Sequence, residues 1–265
     1  MSASVGELLR EWRRRCRLSQ LELASRAGVS TRHISFVETG RTVPSSEMVL
    51  RLASHLAVPL RERNLLLVAA GHAPVYRDRA VDDPDAGRVR DALERVLSAY
   101  SPYPAVAVDR RWNVLLANRG FAVLSEGADP SLLRPPVNLM RLGFHPLGLA
   151  PRVRNLGQVR GFLLARLGRQ AAATGDPELE SLYRELRDYG DGDGDGEVVD
   201  EVDPADIALP IRIEHRGVEL CFVTTVTTFG AAFEVALEEV AVETYLPADE
   251  ITAAHCRRVS RPGQT

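Results

Sequence analysis

Between Ser19 and Arg41 the chain carries a spacing that tightly restricts how it can fold. Counting from Gln20, a small residue follows at four positions (Ala24), a glycine at eight (Gly28), and apolar residues at nine, fourteen and seventeen (Val29, Ile34 and Val37). Ser19 precedes the run with Glu22 three residues on, a pairing that satisfies two free amides at a helix start. Gly28 permits the left-handed backbone of a tight turn. Ser30 then caps a second short helix that ends before Gly40. Its Ile34 and Val37 side is anchored, and its opposite side stays free. Ala24 is small enough for the two helices to cross closely.

The flanking residues predict three more helices. Val5, Leu8, Leu9, Trp12 and Cys16 recur at three- and four-residue steps and share one face, opposite Arg10, Arg14 and Arg15. Val43-Pro44-Ser45 opens a fourth helix to about Leu56, and Val58-Pro59 separates it from a fifth, Leu60 to Ala70, ended by Gly71. A five-helix bundle with its central pair at this spacing is the helix-turn-helix pattern. The run LSQLELASRAGVSTRHISFVETGR resembles the XRE-type, lambda-repressor-like helix-turn-helix domain over about residues 5–71.

In such a reader the second helix of the pair enters the major groove and its first residues reach base edges. Thr31, Arg32 and Ser35 lie opposite Ile34 and Val37 and are the candidate base contacts. Arg32 can pair bidentately with guanine. Arg41, Thr42 and Ser45, in the loop that follows, are candidate phosphate contacts. Phe36 has two open placements, the groove rim or the fourth helix. The resemblance implies that Gln20 clamps a phosphate, and that Arg13 and Glu38 form a structural ion pair.

Charge supports a polyanionic partner once it is located along the chain. The total is −3, from 33 basic and 36 acidic residues, every basic one an arginine. Residues 1–72 hold 11 Arg and 6 Glu, whereas residues 188–206 hold nine acids and no base. The all-arginine usage is background composition at most positions. No apolar run reaches the roughly 18–20 residues of a bilayer span, and the N-terminus lacks a signal pattern. Cys16, Cys221 and Cys256 are odd in number, far apart and without a CxxC, which favours a reducing cytoplasm over a disulfide or zinc framework.

Beyond Gly71, HAPVYRDRAVDDPDAG reads as a connector, and a helix follows from about Gly87 to Tyr100. Ala105–Val108 and Trp112–Ala117 flank Asp109-Arg110-Arg111 as a hairpin. Short helical stretches near Arg119–Leu124 and Val137–Leu142 precede two longer helices, Leu156–Ala173 and Pro177–Tyr189. Three β-rich runs close the region: Ile207–His215, Glu219–Thr227 and Ala232–Leu246. This order predicts an α+β, PAS-like domain with a five-stranded antiparallel sheet.

YPAVAVDRRWNVLLANRG, NLMRLGFHPLGLAPRVRN, TGDPEL and FVTTVTTFG with YLPADE resemble the MmyB-like regulators, in which an XRE-type reader is joined to a PAS-like ligand-binding domain. The two resemblances cover about 90% of the chain. Two departures stand out: Leu156 where the family has tryptophan, and Ala231-Ala232 where it has Thr-Pro. The resemblance implies a small apolar, fatty-acyl-like ligand between sheet and helices, and no other cofactor. Large apolar residues on facing elements are Trp112, Phe144, Phe162, Leu163, Phe222 and Phe229. Asn118, His145, Arg154 and Asn155 are the polar groups among them, an arrangement that suits a ligand pocket. Arg154 is the first candidate to hold a carboxylate, because guanidinium matches it bidentately; His145 is the second.

Asp191-Gly-Asp193-Gly-Asp195-Gly196 opens like a calcium loop, but its twelfth position is Val202 rather than glutamate. A solvated acidic loop over residues 190–206 is the expectation. No nucleophile elbow, HExxH or phosphate-cradling glycine loop occurs. The division expected is a reader over residues 1–72, a connector over 73–86, a ligand domain over 87–255 and a tail over 256–265. The function expected is a cytoplasmic, non-enzymatic transcription regulator that binds double-stranded operator DNA as a homodimer and needs no membrane. The alternatives are a lipid-binding protein or enzyme with a vestigial reader, and a protein-binding adaptor.

Overall fold

A computed structural model describes residues 3–78, 87–189, 208–230, 232 and 234–260. The acidic segment and the calcium-loop decoy lie outside the described residues. The chain divides into two compact units: Met1–Ala80 with Gly230–Glu238, and Val81–Phe229 with Glu239–Thr265.

The first unit is built on five helices, α1 (Val5–Arg15), α2 (Gln20–Ala27), α3 (Thr31–Glu38), α4 (Ser46–His55) and α5 (Leu60–Ala69). Ser4 with Glu7 and Ser19 with Glu22 form reciprocal capping boxes on α1 and α2, and the Ser30 and Ser45 hydroxyls accept from the third amides of α3 and α4. Gly28 ends α2 in the left-handed region at φ 65°, as its spacing predicts. Leu9, Leu23, Ala24, Ile34, Val37, Leu52 and Leu67 are buried together, so α3 is held by its apolar side. A Cβ on Gly6 would collide with the Val37 carbonyl and lie 3.0 Å from the Glu38 carbonyl carbon, so this glycine sets how closely α1 crosses α3.

Two segments outside the expected reader join this unit. Ala73–Asp78, expected to be connector, packs along α5: Asn64 accepts from the amides of Val75 and Tyr76, and Arg61 makes two bonds to Asp78. The second segment lies between the last two strands of the chain. It carries helix α11 (Val235–Glu238), with Val235 fully buried, and Arg77 pairs with Glu234 in a parallel bridge. The expected strand over Ala232–Leu246 is therefore shorter, because its first half is a helical turn belonging to the reader unit.

The second unit contains helix α6 (Gly87–Ala99) and a sheet of β1 (Ala105–Val108), β2 (Val114–Ala117), β3 (Pro210–His215), β4 (Val218–Thr228) and β5 (Ala241–Pro247). All its pairings are antiparallel, in the order β2-β1-β5-β4-β3. Between β2 and β3 run α7 (Ala122–Ser125), α8 (Leu139–Phe144), α9 (Leu156–Thr174) and α10 (Pro177–Asp188). Helix α12 (Glu250–Val259) follows β5 and buries Cys256 completely, so residues 256–259 continue a packed helix where a tail was expected. Register places Val106, Val226 and Glu243 side by side, and Thr224 beside Tyr245, on one face of the sheet. That face, with α8 and α9, encloses the largest apolar cluster.

Candidate functional site

In the reader unit, Glu38 at the end of α3 is almost fully buried and collects three partners. Arg13 donates through Nε to Oε1 at 2.6 Å and through Nη2 to Oε2 at 2.9 Å, and Gln20 donates through Nε2 to Oε2 at 2.9 Å. Arg10 adds a bond from Nη2 to the Glu38 backbone carbonyl at 2.7 Å. Burial alone would raise the Glu38 pKa; the guanidinium of Arg13 and the amide of Gln20 outweigh it and hold the carboxyl below its ordinary value. The expected Arg13–Glu38 pair is present. Gln20 is part of the same network, with one amide N–H on Glu38. Arg10, read from the sequence only as a solvent-facing residue, completes it.

Helix α3 and the loop that follows it present two arginines stacked on one ring. The Arg32 guanidinium lies 5.1 Å from the Phe36 centroid and that of Arg41 lies 5.6 Å from it. Phe36 is half-buried, with both guanidinium groups against its ring. Arg32 and Arg41 are exposed, and Thr31, Ser35 and Thr42 are half-buried beside them. The amides of Arg41 and Thr42 both donate to the Phe36 carbonyl, which fixes the loop leaving α3. The Ser45 hydroxyl is engaged as the cap of α4.

The second unit contains a cavity of two chambers. The inner one, of about 50 Å³, is lined by apolar side chains of α8, α9 and the sheet, among them Leu139, Met140, Phe144, Leu156 and Ile211. The outer one, of about 420 Å³, is lined by Phe162, Arg166, Leu209, Thr224 and Val226. Val159, Leu163, Ile211, Glu243 and Tyr245 line both and form the neck. Glu243, only 6% exposed, receives Arg166 Nη1 at 3.3 Å, and Tyr245 lies two residues on along the same face of its strand. Burial pushes the Glu243 carboxyl up, against the opposing pull of Arg166, and pushes the Tyr245 phenol up as well. The Arg166 guanidinium also stands 4.7 Å above the Trp112 ring.

Two of the eight ligand residues expected from the sequence, Phe144 and Phe162, line this cavity. The other six line neither chamber. Arg154 is exposed and ion-paired with Glu214. His145 packs edge-on to Tyr189 and accepts from the Leu147 amide, as a turn residue does. Asn155 accepts from the Arg212 amide and donates to the Pro210 carbonyl, stitching the start of α9 to β3. Asn118 accepts from the Ala105 amide and donates to the Leu97 and Tyr103 carbonyls, an internal strut. Phe222 is completely buried and meets Tyr245 edge-on in the core. Trp112 is buried and donates to Gln170 at 3.1 Å, so it acts on the cavity only through Arg166.

Sequence reasoning missed Arg166, Glu243 and Tyr245. The signal was present in ALEEVAVETYLP: period-2 alternation places Glu243 on the same side as Tyr245, and a glutamate there faces a core. Among the described residues no group of histidine, cysteine or carboxylate side chains is arranged to hold a metal, and no helix is long and apolar enough to cross a membrane.

Residues 4–66 match the model of a helix-turn-helix domain, and residues 89–259 match that of the MmyB-like transcription regulator ligand binding domain. The chain is 33% identical over 99 residues to RghRB, described as an uncharacterized HTH-type transcriptional regulator of Bacillus subtilis (strain 168); the match spans 37% of this chain and 63% of that protein. It is 32% identical over 96 residues to the transcriptional regulator ClgR of Mycobacterium tuberculosis, across 35% of this chain and 83% of the relative. The chain thus spans less than two thirds of the Bacillus relative's length. With both domain matches in order and the ligand-binding match alone covering more than half of the sequence, the chain belongs to the MmyB-like transcription regulators, a helix-turn-helix DNA-binding domain joined to a ligand-binding domain.

Proposed function

We propose that this regulator binds a partly symmetric operator as a homodimer, in the cytoplasm, and that its two-chambered cavity takes a small apolar, fatty-acyl-like ligand. The observation that carries the ligand reading is the cavity itself: an inner chamber of about 50 Å³ with apolar walls and an outer one of about 420 Å³, with Glu243 and Tyr245 on the wall they share. Apolar walls with a few convergent polar groups are the general form of a small-ligand site.

In this reading Thr31, Arg32 and Ser35 read base edges, with Arg32 directed at guanine. Arg41 and Thr42 hold phosphate. Gln20 reaches a phosphate with its second amide N–H, and Ser45 contributes by ordering the amide-rich first turn of α4. Two half-sites about one helical turn apart would give a dimer its register. The ligand acts by differing in affinity between reader arrangements that do and do not fit that spacing.

Native mass spectrometry of the full chain, followed by a gel shift on the DNA upstream of its own gene, tests the reading. A dimer carrying a co-purified lipid, with salt-sensitive operator binding altered by lipid removal, is the expected result. A chain that binds neither long-chain acids nor long-chain alcohols would overturn the ligand assignment.

A further inference from the structure

Among the described residues, four other than glycine hold a left-handed backbone: Arg17, Ala57, Trp112 and Arg216. The two arginines use their side chains differently. The Arg216 guanidinium makes two bonds to Glu126, at 2.8 and 2.9 Å. That of Arg17 is exposed and makes no hydrogen bond, ion pair or ring contact with any described residue. We infer, resting on the reading above in which Gln20 and Arg41 meet the DNA backbone, that Arg17 is a further phosphate contact of the reader. It stands beside Gln20 and carries no base information.

Three observations support this role. The first is conformational. Arg17 has φ 55°, a region where a Cβ crowds the following carbonyl and where glycine sits without that penalty. Its side chain therefore strains the turn between α1 and α2, yet makes no contact that supports the fold. Strain of this kind persists where function uses it.

The second is electrostatic. The acids nearest to Arg17 in sequence are already engaged, Glu11 by Arg15 and Glu22 by the Ser19 amide. Arg10, Arg13 and Arg51 are likewise ion-paired within the reader. Arg32 and Arg41, on the reading surface, have no carboxylate partner among the described residues, and Arg17 belongs with them. Its charge is free for an outside anion.

The third is the mount. The Arg17 amide donates to the Arg14 carbonyl at 2.9 Å. Arg13 holds the next residue, Leu18, twice: the Leu18 amide donates to its carbonyl at 3.1 Å, and the Leu18 carbonyl accepts from its Nη1 at 2.7 Å. Arg13 also binds Glu38 at the end of α3, and Gln20 shares that carboxylate. The turn carrying Arg17 is thus tied through one buried group to the reading helix and to Gln20, three residues on. A phosphate suits the guanidinium, which meets two of its oxygens at once. Each charge neutralised releases counterions from the duplex, a contribution that falls with salt and is the same on every sequence.

Fluorescence anisotropy of the full chain tests the inference on the DNA upstream of its own gene and on a scrambled duplex, from about 50 mM to about 1 M salt. Arg17→Gly is expected to weaken both DNAs alike, by about tenfold per reader at the lowest salt. The slope of log affinity against log salt should shrink by about 0.9 per reader. The same variant is expected to raise the midpoint of thermal unfolding, because glycine accepts the left-handed backbone. Weaker binding by a more stable protein is not the signature of a damaged fold. Arg17→Lys keeps the charge and is expected to keep the wild-type slope. An unchanged slope in Arg17→Gly, beside a reduced one in Arg41→Gln, would overturn the role of Arg17 while the phosphate reading stands. Unchanged slopes in both variants would overturn both. A lowered midpoint in Arg17→Gly would assign the arginine to the fold, and an altered preference between the two DNAs would assign it to base reading; either overturns the inference.

Discussion

The backbone N–H of Leu60 donates to the Glu238 carboxylate at 2.6 Å, across 178 positions of sequence. Helix α5 begins after Pro59, which has no side chain to cap it, so its first turn is capped by a residue from the connection between β4 and β5. That connection belongs to the reader unit, yet its two ends continue directly into the strands that carry Thr224, Val226, Glu243 and Tyr245. Chain continuity therefore gives the cavity walls a direct route to a helix of the reader. Glu238→Ala is expected to cost the reader about 1 kcal/mol, the usual worth of a lost cap. It is also expected to reduce the change in operator affinity that ligand produces, with the ligand's own affinity unaltered. Paired gel shifts with and without ligand check this; an undiminished ligand effect would refute the route.

Glu38→Gln is expected to destabilise the reader far more than it changes which operator is preferred. Removing one partner of a buried pair strands the other, at a cost of about 3–5 kcal/mol. The folded carboxyl sits below its ordinary value near 4.5, so the pair contributes fully above that pH and is lost as pH falls through the lower, folded value. Urea unfolding of the wild type from pH 7 to pH 3 should show this acid loss, and Glu38→Gln should lack most of it. A variant of wild-type stability but altered operator preference would mean that Glu38 serves recognition.

Gly6→Ala sets two effects against each other. At an exposed helix position the change gains about 1 kcal/mol of helix propensity. Here the new Cβ meets the backbone of α3 at Val37 and Glu38, which cannot rotate away as a side chain can. Overpacking of this kind costs about 1–3 kcal/mol, so the expected outcome is a net loss, read as a lower midpoint of thermal unfolding. A rise in the midpoint would show that α1 can move off α3.

Much of the reader was legible because its determinants are local. Capping serines, Gly28 and the Ile34–Val37 spacing fix helix ends and faces within a few residues of each other, and all appear where the sequence places them. The number of strands, and the helices inserted between the second and third, were legible from the succession of element types. The polar groups of the cavity were not. Arg154, His145 and Asn155 stand close in sequence to the right aromatics, but Glu214 pairs with the first, and a turn and a helix start take up the other two. Arg166 and Glu243 are 77 positions apart, and only the register of β5 beneath α9 brings them together. Glu238 was illegible for the same reason: its partner is an amide in another part of the chain.

Arg32→Ala and Phe36→Ala should separate reading from positioning. Losing Arg32 removes a candidate bidentate contact worth about 1–3 kcal/mol of discrimination, so preference should relax at one base pair of each half-site. Losing Phe36 leaves both arginines present but removes the ring that orients them, at about 0.5–1 kcal/mol for each exposed contact. Its expected signature is a several-fold weaker affinity with the base preference retained. Binding to a library of operator variants distinguishes these outcomes; identical profiles for the two variants would show that Arg32 does not read a base.

His215 and His255 are both buried and share one hydrogen bond, Nδ1 to Nε2 at 2.7 Å. Around them stand Arg152, Arg216 and Arg258, with Glu126 as the carboxylate on His215 at 3.3 Å. Burial first, and then the neighbouring cations, hold both rings below the ordinary value of 6.5. The unfolded chain therefore binds more protons than the folded one between the two values. Stability is full above about pH 6.5 and falls as pH drops through the folded values, by up to about 1.4 kcal/mol per pH unit for each ring. Urea midpoints measured from pH 8 to pH 5 should decline through this window in the wild type. His255→Gln removes one titration while its amide can still meet His215, so its curve should start lower and fall less steeply. A wild-type curve that stays level to pH 5 would mean the pair accepts its proton without cost.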